Sequence, residues 1–253
     1  MAKLSVIIPA YNEARTIVDV IGRVAAADIG NVEREIIVVD DGSTDRTREV
    51  LRGVRGVTAI SQRNMGKGGA IKTGVAAATG DIVIIQDADL EYDPNDFKAM
   101  IAPIVADEVQ FVIGSRFLRE RPRFFIGGNA PFVTHYIGNR IIVWLTNRLY
   151  RNHATDYEGC YKAITRSLLA EFEIEANGFE YDNELICKVL RRGYRIDEVP
   201  ISYRPRAYSE GKKITWRHGI RVAWTIVKWR WRRIPILDRV DPASVDRART
   251  DKE

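Results

Sequence analysis

The chain has 253 residues, 45% hydrophobic and 29% charged, with a formal net charge of +5; this is an ordinary globular composition, sufficient for one large α/β domain or a domain with an appendage. No apolar run reaches the ~20 residues that span a bilayer, and Met1-Ala2-Lys3 leads straight into a strand with no leader pattern, so the expectation is a cytosolic protein that can still lie on a membrane. Cys160 and Cys187 stand far apart without metal-ligand spacing, which argues against a disulfide framework or a zinc site and for buried free thiols in a reducing compartment.

Leu4-Ser5-Val6-Ile7-Ile8-Pro9 predicts a first strand stopped by its proline, and Asn12 to Thr16 opens a helix through about Ala27. Glu35 to Asp41 predicts a buried second strand ending in carboxylates, followed by the turn Gly42-Ser43-Thr44-Asp45 and a helix to about Arg52. Val57 to Ser61 is a third strand, and Gly66-Lys67-Gly68-Gly69 leads into a helix from Ala70 to Ala78. Ile82-Val83-Ile84-Ile85 is β-branched and apolar throughout, as a strand buried on both faces must be. Phe111 to Gly114 is the next strand, and Phe117 to about Pro131 reads as a mobile loop carrying arginines, prolines and Phe124-Phe125. Helices follow at about Val133–Leu149, Thr165–Glu171 and Glu180–Arg192, with a short strand and turn over Thr155–Ile164 and a final strand Arg195–Tyr203 in which Pro200 signals an edge or a bulge. Strands alternating with helices mean βαβ units and a doubly wound, mostly parallel sheet with helices on both faces. Ligands in such sheets sit beyond the C-terminal strand ends. That rule gathers Pro9-Ala10-Tyr11, Asp40-Asp41, Asp87 and Asp89 on one rim.

Asp87-Ala88-Asp89 closes the fourth strand, and two carboxylates one residue apart point the same way if the chain stays extended. Hard oxygens in that arrangement suit Mg²⁺ or Mn²⁺ bound together with substrate phosphates. A strand ending in an Asp-rich turn has the same local sequence. Lys67 lies in a Gly-rich turn ahead of a helix, a place that binds phosphate, or it is a solvated lysine. No GxxxxGK[ST] surrounds it, so it is not part of a P-loop.

Positive charge concentrates between Arg204 and Arg233, opposed only by Glu210. Such a block suits phosphates, anionic lipid or nucleic acid. Within it, Trp216, Ile220, Ala223, Trp224, Val227 and Trp231 fall on one face of a helix whose other positions carry arginine and lysine. That composition fits an interfacial helix in a lipid headgroup zone, or a helix packed on its own domain or a second subunit. No RNA- or DNA-binding motif is present and an acidic rim has no place in such a protein, so nucleic acid is not the expected partner. These patterns divide the chain into a domain over residues 1–213, an amphipathic helix over 214–235 and a charged, disordered tail over 236–253.

The strand-end motifs Pro9-Ala10-Tyr11-Asn12-Glu13, Asp40-Asp41-Gly42-Ser43 and Asp87-Ala88-Asp89 together resemble the inverting family 2 glycosyltransferases of the GT-A fold. The likeness runs from Leu4 to about Arg233. Gly66-Lys67-Gly68, Asp87-Ala88-Asp89-Leu90 and Gly114-Ser115-Arg116 make it most similar to polyprenyl-phosphate sugar transferases of the dolichyl-phosphate mannose synthase type. The resemblance implies a nucleotide-sugar donor (GDP-mannose or a UDP-sugar), a polyprenyl-phosphate acceptor, a Mg²⁺ or Mn²⁺ cofactor and peripheral association with the cytosolic face of a membrane. It implies that Pro9, Ala10, Tyr11, Glu13 and Asp41 hold base and ribose. Asp87 and Ala88 would approach the ribose and metal, and Asp89 would ligate the metal, with Glu91 at a metal-facing position where these synthases usually have Gln. Lys67, and Lys212 and Lys213 in a basic loop, would contact the diphosphate.

A phosphate acceptor is already ionised and needs positioning by positive charge rather than a base. Arg116 fits that role, and the helix where the subfamily has a further Arg and Ser offers His135 and Asn139. A soluble or glycan hydroxyl acceptor would instead need a carboxylate base, for which Asp156 and Glu158 are the candidates.

Overall fold

In a computed structural model of the chain, residues 1–118, 131–204 and 216–235 are described, with 131–135, 216 and 217 described by backbone alone. The strands are β1 (Lys3–Ala10), β2 (Glu33–Asp41), β3 (Thr58–Gln62), β4 (Ile82–Ile85), β5 (Phe111–Ser115), β6 (Lys162–Thr165) and β7 (Asp197–Pro200). They form a seven-stranded sheet in the order β3-β2-β1-β4-β6-β5-β7. Every pairing is parallel except the two made by β6, which runs antiparallel to both β4 and β5. The C-terminal ends of the six parallel strands therefore share one rim, and β6 enters the sheet from that rim. This brings the residues just before β6, Thr155 to Tyr161, to the same place.

Eight helices accompany the sheet among the described residues: α1 (Ile17–Ala26), α2 (Thr47–Arg52), α3 (Lys67–Ala77), α4 (Phe97–Val105), α5 (Pro131–Tyr150), α6 (Arg166–Ala170), α7 (Tyr181–Arg191) and α8 (Trp216–Trp231). α1 illustrates why they form. Ile17, Val20, Ile21 and Val24 repeat at helical spacing and all are buried, each worth about 1.5–3 kcal/mol on leaving water. β4 is buried at all four positions, as its unbroken apolar run requires.

Several expectations shift. β1 runs through Pro9, which pairs with Val39, to Ala10. The Ile7 carbonyl faces β4 and accepts from Gln86 N at 2.9 Å, and pairing with β4 stops at Ile7. The missing Pro9 N–H, two residues on and on the same side, forfeits no ladder bond. α1 begins at Ile17 because Asn12 takes a positive φ of 56° and turns the chain. α3 starts at Lys67, so the glycine-rich stretch is its first turn. The final strand shrinks to Asp197–Pro200, which among the described residues is an edge strand paired with β5 alone. Helix α4 was not anticipated, although Asp93 caps the Pro94–Asp96 turn before it and Phe97, Met100, Ile101 and Ile104 repeat at helical spacing. Its internal Pro103 masks the pattern.

α8 packs on α7 and α5 through Val222, Ile226 and Trp229, which with Ile142 and Cys187 form a second small core. This is not the stripe expected to be apolar-facing. Ile220, Trp224 and Trp231 remain open to solvent. The expected mobile segment after Leu118, up to residue 130, and the tail from residue 236 lie outside the described residues.

Candidate active site

The β1 and β2 ends are locked together by their own side chains. Asn12 Oδ1 accepts from the Thr44 and Asp45 amides at 2.8 and 3.2 Å, and Asn12 N donates to Ser43 Oγ at 2.9 Å. Glu13 N donates to Thr47 Oγ1 at 2.9 Å. Tyr11, at the apex, is 36% exposed, whereas Ala10 is buried. Asp40 is buried against Ser43 N and Arg48 Nε at 3.0 and 3.1 Å.

Asp41 organises the next loop. Its Oδ1 accepts from Gln62 Nε2 and Met65 N at 2.6 and 2.9 Å, and its Oδ2 from Gly66 N at 2.8 Å. A carboxylate has about four lone-pair sites, so most of this one's capacity is used inside the protein. Gly66 then adopts φ 87°, and a Cβ on Gly68 would lie 2.8 Å from Tyr181 Cβ and 2.9 Å from the Asn177 carbonyl carbon. Glycine is needed here for close approach of backbones. The Gly69 amide bonds the Asn177 carbonyl at 3.1 Å, which seats α3 against the loop before α7.

This seating aims Lys67 at the end of β4, where its ammonium lies 2.6 Å from Asp87 Oδ1. Burial would lower the Lys67 pKa, but the Asp87 carboxylate, with Asp182 nearby, holds it raised. Burial would likewise raise Asp87, and Lys67 outweighs it and keeps the carboxyl below its ordinary value. Cys160, whose thiol donates to the Ile85 carbonyl at 3.6 Å, is pushed well up by burial and is a neutral, buried free thiol.

Beyond Asp87 the chain does not stay extended. It turns at Ala88-Asp89, with Leu90 at φ 61°, and Asp89 Oδ1 accepts from Glu91 N at 3.2 Å. Glu91 Oε2 accepts from the Tyr203 hydroxyl at 3.1 Å, and the Arg204 amide bonds the Glu91 carbonyl at 2.8 Å. Among the described residues no group of three carboxylate, histidine or cysteine side chains converges as a metal cage. The expected set of Asp87, Asp89 and Glu91 is therefore not gathered: Asp87 is paired with Lys67, Asp89 accepts from the Glu91 amide, Glu91 meets Tyr203, and the turn at Ala88-Asp89 removes the extended geometry that would point the two aspartates the same way. In number and chemistry the carboxylates of Asp87 and Asp89 suffice for a Mg²⁺ or Mn²⁺ ion, which takes one or two protein carboxylates and completes its shell with substrate phosphates and water.

Arg116, just past the end of β5, grips Asp156 through Nε–Oδ2 at 2.7 Å and Nη2–Oδ1 at 2.9 Å. Burial would lower the arginine and raise the aspartate, but their mutual attraction wins at both, leaving a guanidinium held raised and a carboxylate held lowered. The guanidinium carbon lies 5.4 Å from the Phe117 ring and 5.2 Å from the Tyr203 ring. Glu198 on β7 fixes the partner, accepting from the amides of Thr155 and Asp156 at 2.8 and 3.0 Å. Asn139 Nδ2 approaches Asp156 Oδ1 at 3.4 Å, so this expected acceptor contact meets the arginine's partner. Glu158 accepts from Asn183 Nδ2 at 2.7 Å, and burial raises its pKa. The His135 side chain, Lys212 and Lys213 lie outside the described residues.

The rim thus carries two charged centres, Lys67–Asp87–Asp89 on one side and Arg116–Asp156 on the other. Tyr203 lies between them, donating to Glu91, whose amide bonds Asp89, and facing the Arg116 guanidinium. Sequence reasoning missed Tyr203, Glu198 and Cys160. Tyr203 and Glu198 read as ordinary strand residues, and Cys160 as a core thiol.

Residues 5–172 match the family model described as glycosyl transferase family 2. The chain belongs to that family. This glycosyltransferase is 31% identical over 202 residues to glycosyltransferase AglJ of Haloferax volcanii, covering 79% of the chain and 63% of AglJ. It is 29% identical over 243 residues to the UDP-N-acetylglucosamine–dolichyl-phosphate N-acetylglucosaminyltransferase of Methanococcus voltae, covering 87% of the chain and 93% of that protein. The undecaprenyl-phosphate 4-deoxy-4-formamido-L-arabinose transferase of Edwardsiella ictaluri is 29% identical, with 83% of the chain and 62% of that protein covered. The chain thus spans somewhat less than two thirds of AglJ and of the arabinose transferase. Among solved structures, glucosyl-3-phosphoglycerate synthase from Mycobacterium tuberculosis with Mn²⁺, UDP and phosphoglyceric acid superposes with a TM-score of 0.68 at 25% identity, covering 94% of this chain and 80% of that one. These likenesses agree with a GT-A sheet.

Proposed function

We propose that the enzyme transfers a sugar from a nucleotide-sugar, GDP-mannose or a UDP-sugar, to a polyprenyl phosphate, with inversion, at the cytosolic face of a membrane. One observation carries the choice of acceptor. Asp156, the leading candidate for a base, is a buried carboxylate in a two-pronged pair with Arg116 and is held ionised below its ordinary pKa. Such a group is a poor proton acceptor for a hydroxyl and a good anchor for a cation. Arg116, braced by Asp156 and two aromatic rings, would position an anionic acceptor whose own oxygen attacks the anomeric carbon. The names of the dolichyl- and undecaprenyl-phosphate relatives support the same class of acceptor.

On the donor side, Pro9, Ala10, Tyr11, Glu13 and Asp41 would frame the nucleotide, and Asp87 and Asp89 would hold Mg²⁺ or Mn²⁺. A divalent ion supplies charge stabilisation to the departing diphosphate. Lys67 keeps Asp87 ionised and places a second positive charge beside that position. Mn²⁺ and UDP in the mycobacterial synthase support this arrangement.

A second reading retains a hydroxyl acceptor, supported by the phosphoglyceric acid in the mycobacterial complex. Its base would be Glu158, whose raised pKa suits proton transfer, or Asp156. The two readings separate on Asp156→Asn and Glu158→Gln. With a phosphate acceptor, Asp156→Asn raises the acceptor KM and leaves a measurable kcat, and Glu158→Gln retains turnover. Loss of turnover in either variant with donor binding intact, seen only with a hydroxyl acceptor, would establish the second reading instead.

A further inference from the structure

Helix α5 presents Ile137, Ile141 and Trp144 to solvent at 51, 56 and 64% exposure, and α8 presents Ile220, Trp224 and Trp231 at 60, 66 and 69%. The two helices pack together through Ile142, Val222, Ile226 and Trp229, with Leu145, Leu149 and Ala223 half-buried at the seam. Residues three and four apart are neighbours on a helix surface. Ile141 therefore adjoins both Trp144 and Leu145, while Ala223 adjoins Ile220 and Val227, which in turn adjoins Trp224 and Trp231. Both open stripes border the same seam, and together they make one apolar surface spanning two helices. A patch of this kind on a soluble domain marks an interaction site.

Its charge identifies the partner. Neither helix contains an aspartate or glutamate. Arg140 and Arg148 on α5, Arg221 and Arg230 on α8, and Arg233 just beyond are exposed around the patch. Lys228 and Arg232 are paired with Glu175 at 3.1 and 2.7 Å. A second copy of the chain would bring arginine against arginine with no carboxylate on either helix to compensate, which costs affinity. An anionic bilayer satisfies both features, since tryptophan and isoleucine enter the headgroup zone while arginine meets lipid phosphate.

We propose that the α5–α8 face docks this enzyme on an anionic membrane, with Trp144 and Trp224 as its two anchors. The proposal deepens the lipid-acceptor reading and rests on it for the reason a bilayer is needed. α5 also carries Asn139, which reaches the Asp156 partner of Arg116 at 3.4 Å. The helix that would lie on the membrane is therefore the one that abuts the acceptor side of the rim.

The test is flotation of the full chain with phosphatidylcholine vesicles, with and without phosphatidylglycerol, for the wild type, Trp144→Ala and Trp224→Ala. Both side chains are exposed, and retained nucleotide-sugar binding reports that the variants fold. Binding that needs the anionic lipid and falls about tenfold in each variant, equivalent to ~1.4 kcal/mol, is the expected result. Quenching of wild-type indole emission by brominated lipid, reduced in Trp144→Phe, is expected as a second readout. Unchanged flotation in Trp144→Ala would overturn the two-helix face. So would a wild-type dimer that ignores vesicles and dissociates on the same substitutions. Transfer to a water-soluble, short-chain isoprenyl phosphate is measured alongside. Transfer without vesicle binding refutes the docking face and keeps the acceptor reading; vesicle binding without transfer does the reverse.

Discussion

Arg116 and Asp156 face each other across the rim with side-chain bonds of 2.7 and 2.9 Å, and a third bond of 3.2 Å joins the Arg116 amide to the same carboxylate. The pair is the rigid part of the acceptor side. Its planar fork cannot be reproduced by lysine. Arg116→Lys is expected to raise the acceptor KM by at least about tenfold with the donor Kd unchanged, and to destabilise the fold by about 3 kcal/mol by leaving Asp156 poorly paired. Steady-state kinetics with each substrate varied, together with urea denaturation, check both parts.

Asp89→Ala is expected to abolish the Mn²⁺ dependence of nucleotide-sugar binding and to lower turnover by roughly two orders of magnitude, about 3 kcal/mol of barrier. Calorimetric titration of donor with and without Mn²⁺ reads the first effect. Equal affinities in the variant and wild type with Mn²⁺ present would remove Asp89 from the metal site.

Glu91 is the sharper case. It stands where the resembling synthases have Gln, yet its side chain meets the Tyr203 hydroxyl at 3.1 Å and joins no three-carboxylate cluster. Glu91→Gln keeps an acceptor for that hydroxyl. It is expected to leave Mn²⁺ affinity within about twofold of wild type and stability within about 1 kcal/mol. A fall of tenfold or more in Mn²⁺ affinity would return Glu91 to the metal.

Acid stability has a separate origin. Glu35 Oε1 accepts from Ser5 Oγ and Thr79 N, and its Oε2 lies 3.0 Å from the Lys3 ammonium. Burial would raise this carboxyl, but the hydrogen bonds and Lys3 hold it at about 2, against an ordinary 4.5. Its stabilisation, up to about 3 kcal/mol, is complete above pH 4.5, fades as pH falls and is lost near pH 2. Glu35→Gln should therefore lower stability at pH 7 and matter progressively less in acid. Urea midpoints across that range give the measurement.

Most of the fold is legible in the sequence because buried parallel strands are continuous β-branched runs, and β1, β2 and β4 are all of that kind. Their carboxylate ends place Asp41, Asp87 and Asp89 on one rim by topology alone. What escaped depends on three dimensions. The reversed direction of β6 leaves no local mark, although it is what brings Asp156 to Arg116. Pro103 hides α4. The turn at Ala88-Asp89 breaks the extended geometry on which the common aim of Asp87 and Asp89 depends. On α8 the periodic stripe of tryptophans leaves a lipid-facing and a domain-packing face both open; Val222, Ile226 and Trp229 do the packing, and Ile220, Trp224 and Trp231 stay exposed. Tyr203 became visible only when its segment crossed back to bridge Tyr92.

The central claim, sugar transfer from a nucleotide donor to a polyprenyl phosphate, is tested most directly by one assay. A panel of donors, GDP-mannose, UDP-glucose and UDP-N-acetylglucosamine among them, is incubated with Mn²⁺ and either a polyprenyl phosphate or a hydroxyl acceptor such as phosphoglyceric acid. The expected result is a glycosylated polyprenyl phosphate from at least one donor, formed only with the metal present. Product from the hydroxyl acceptor alone, whatever the donor, would contradict it.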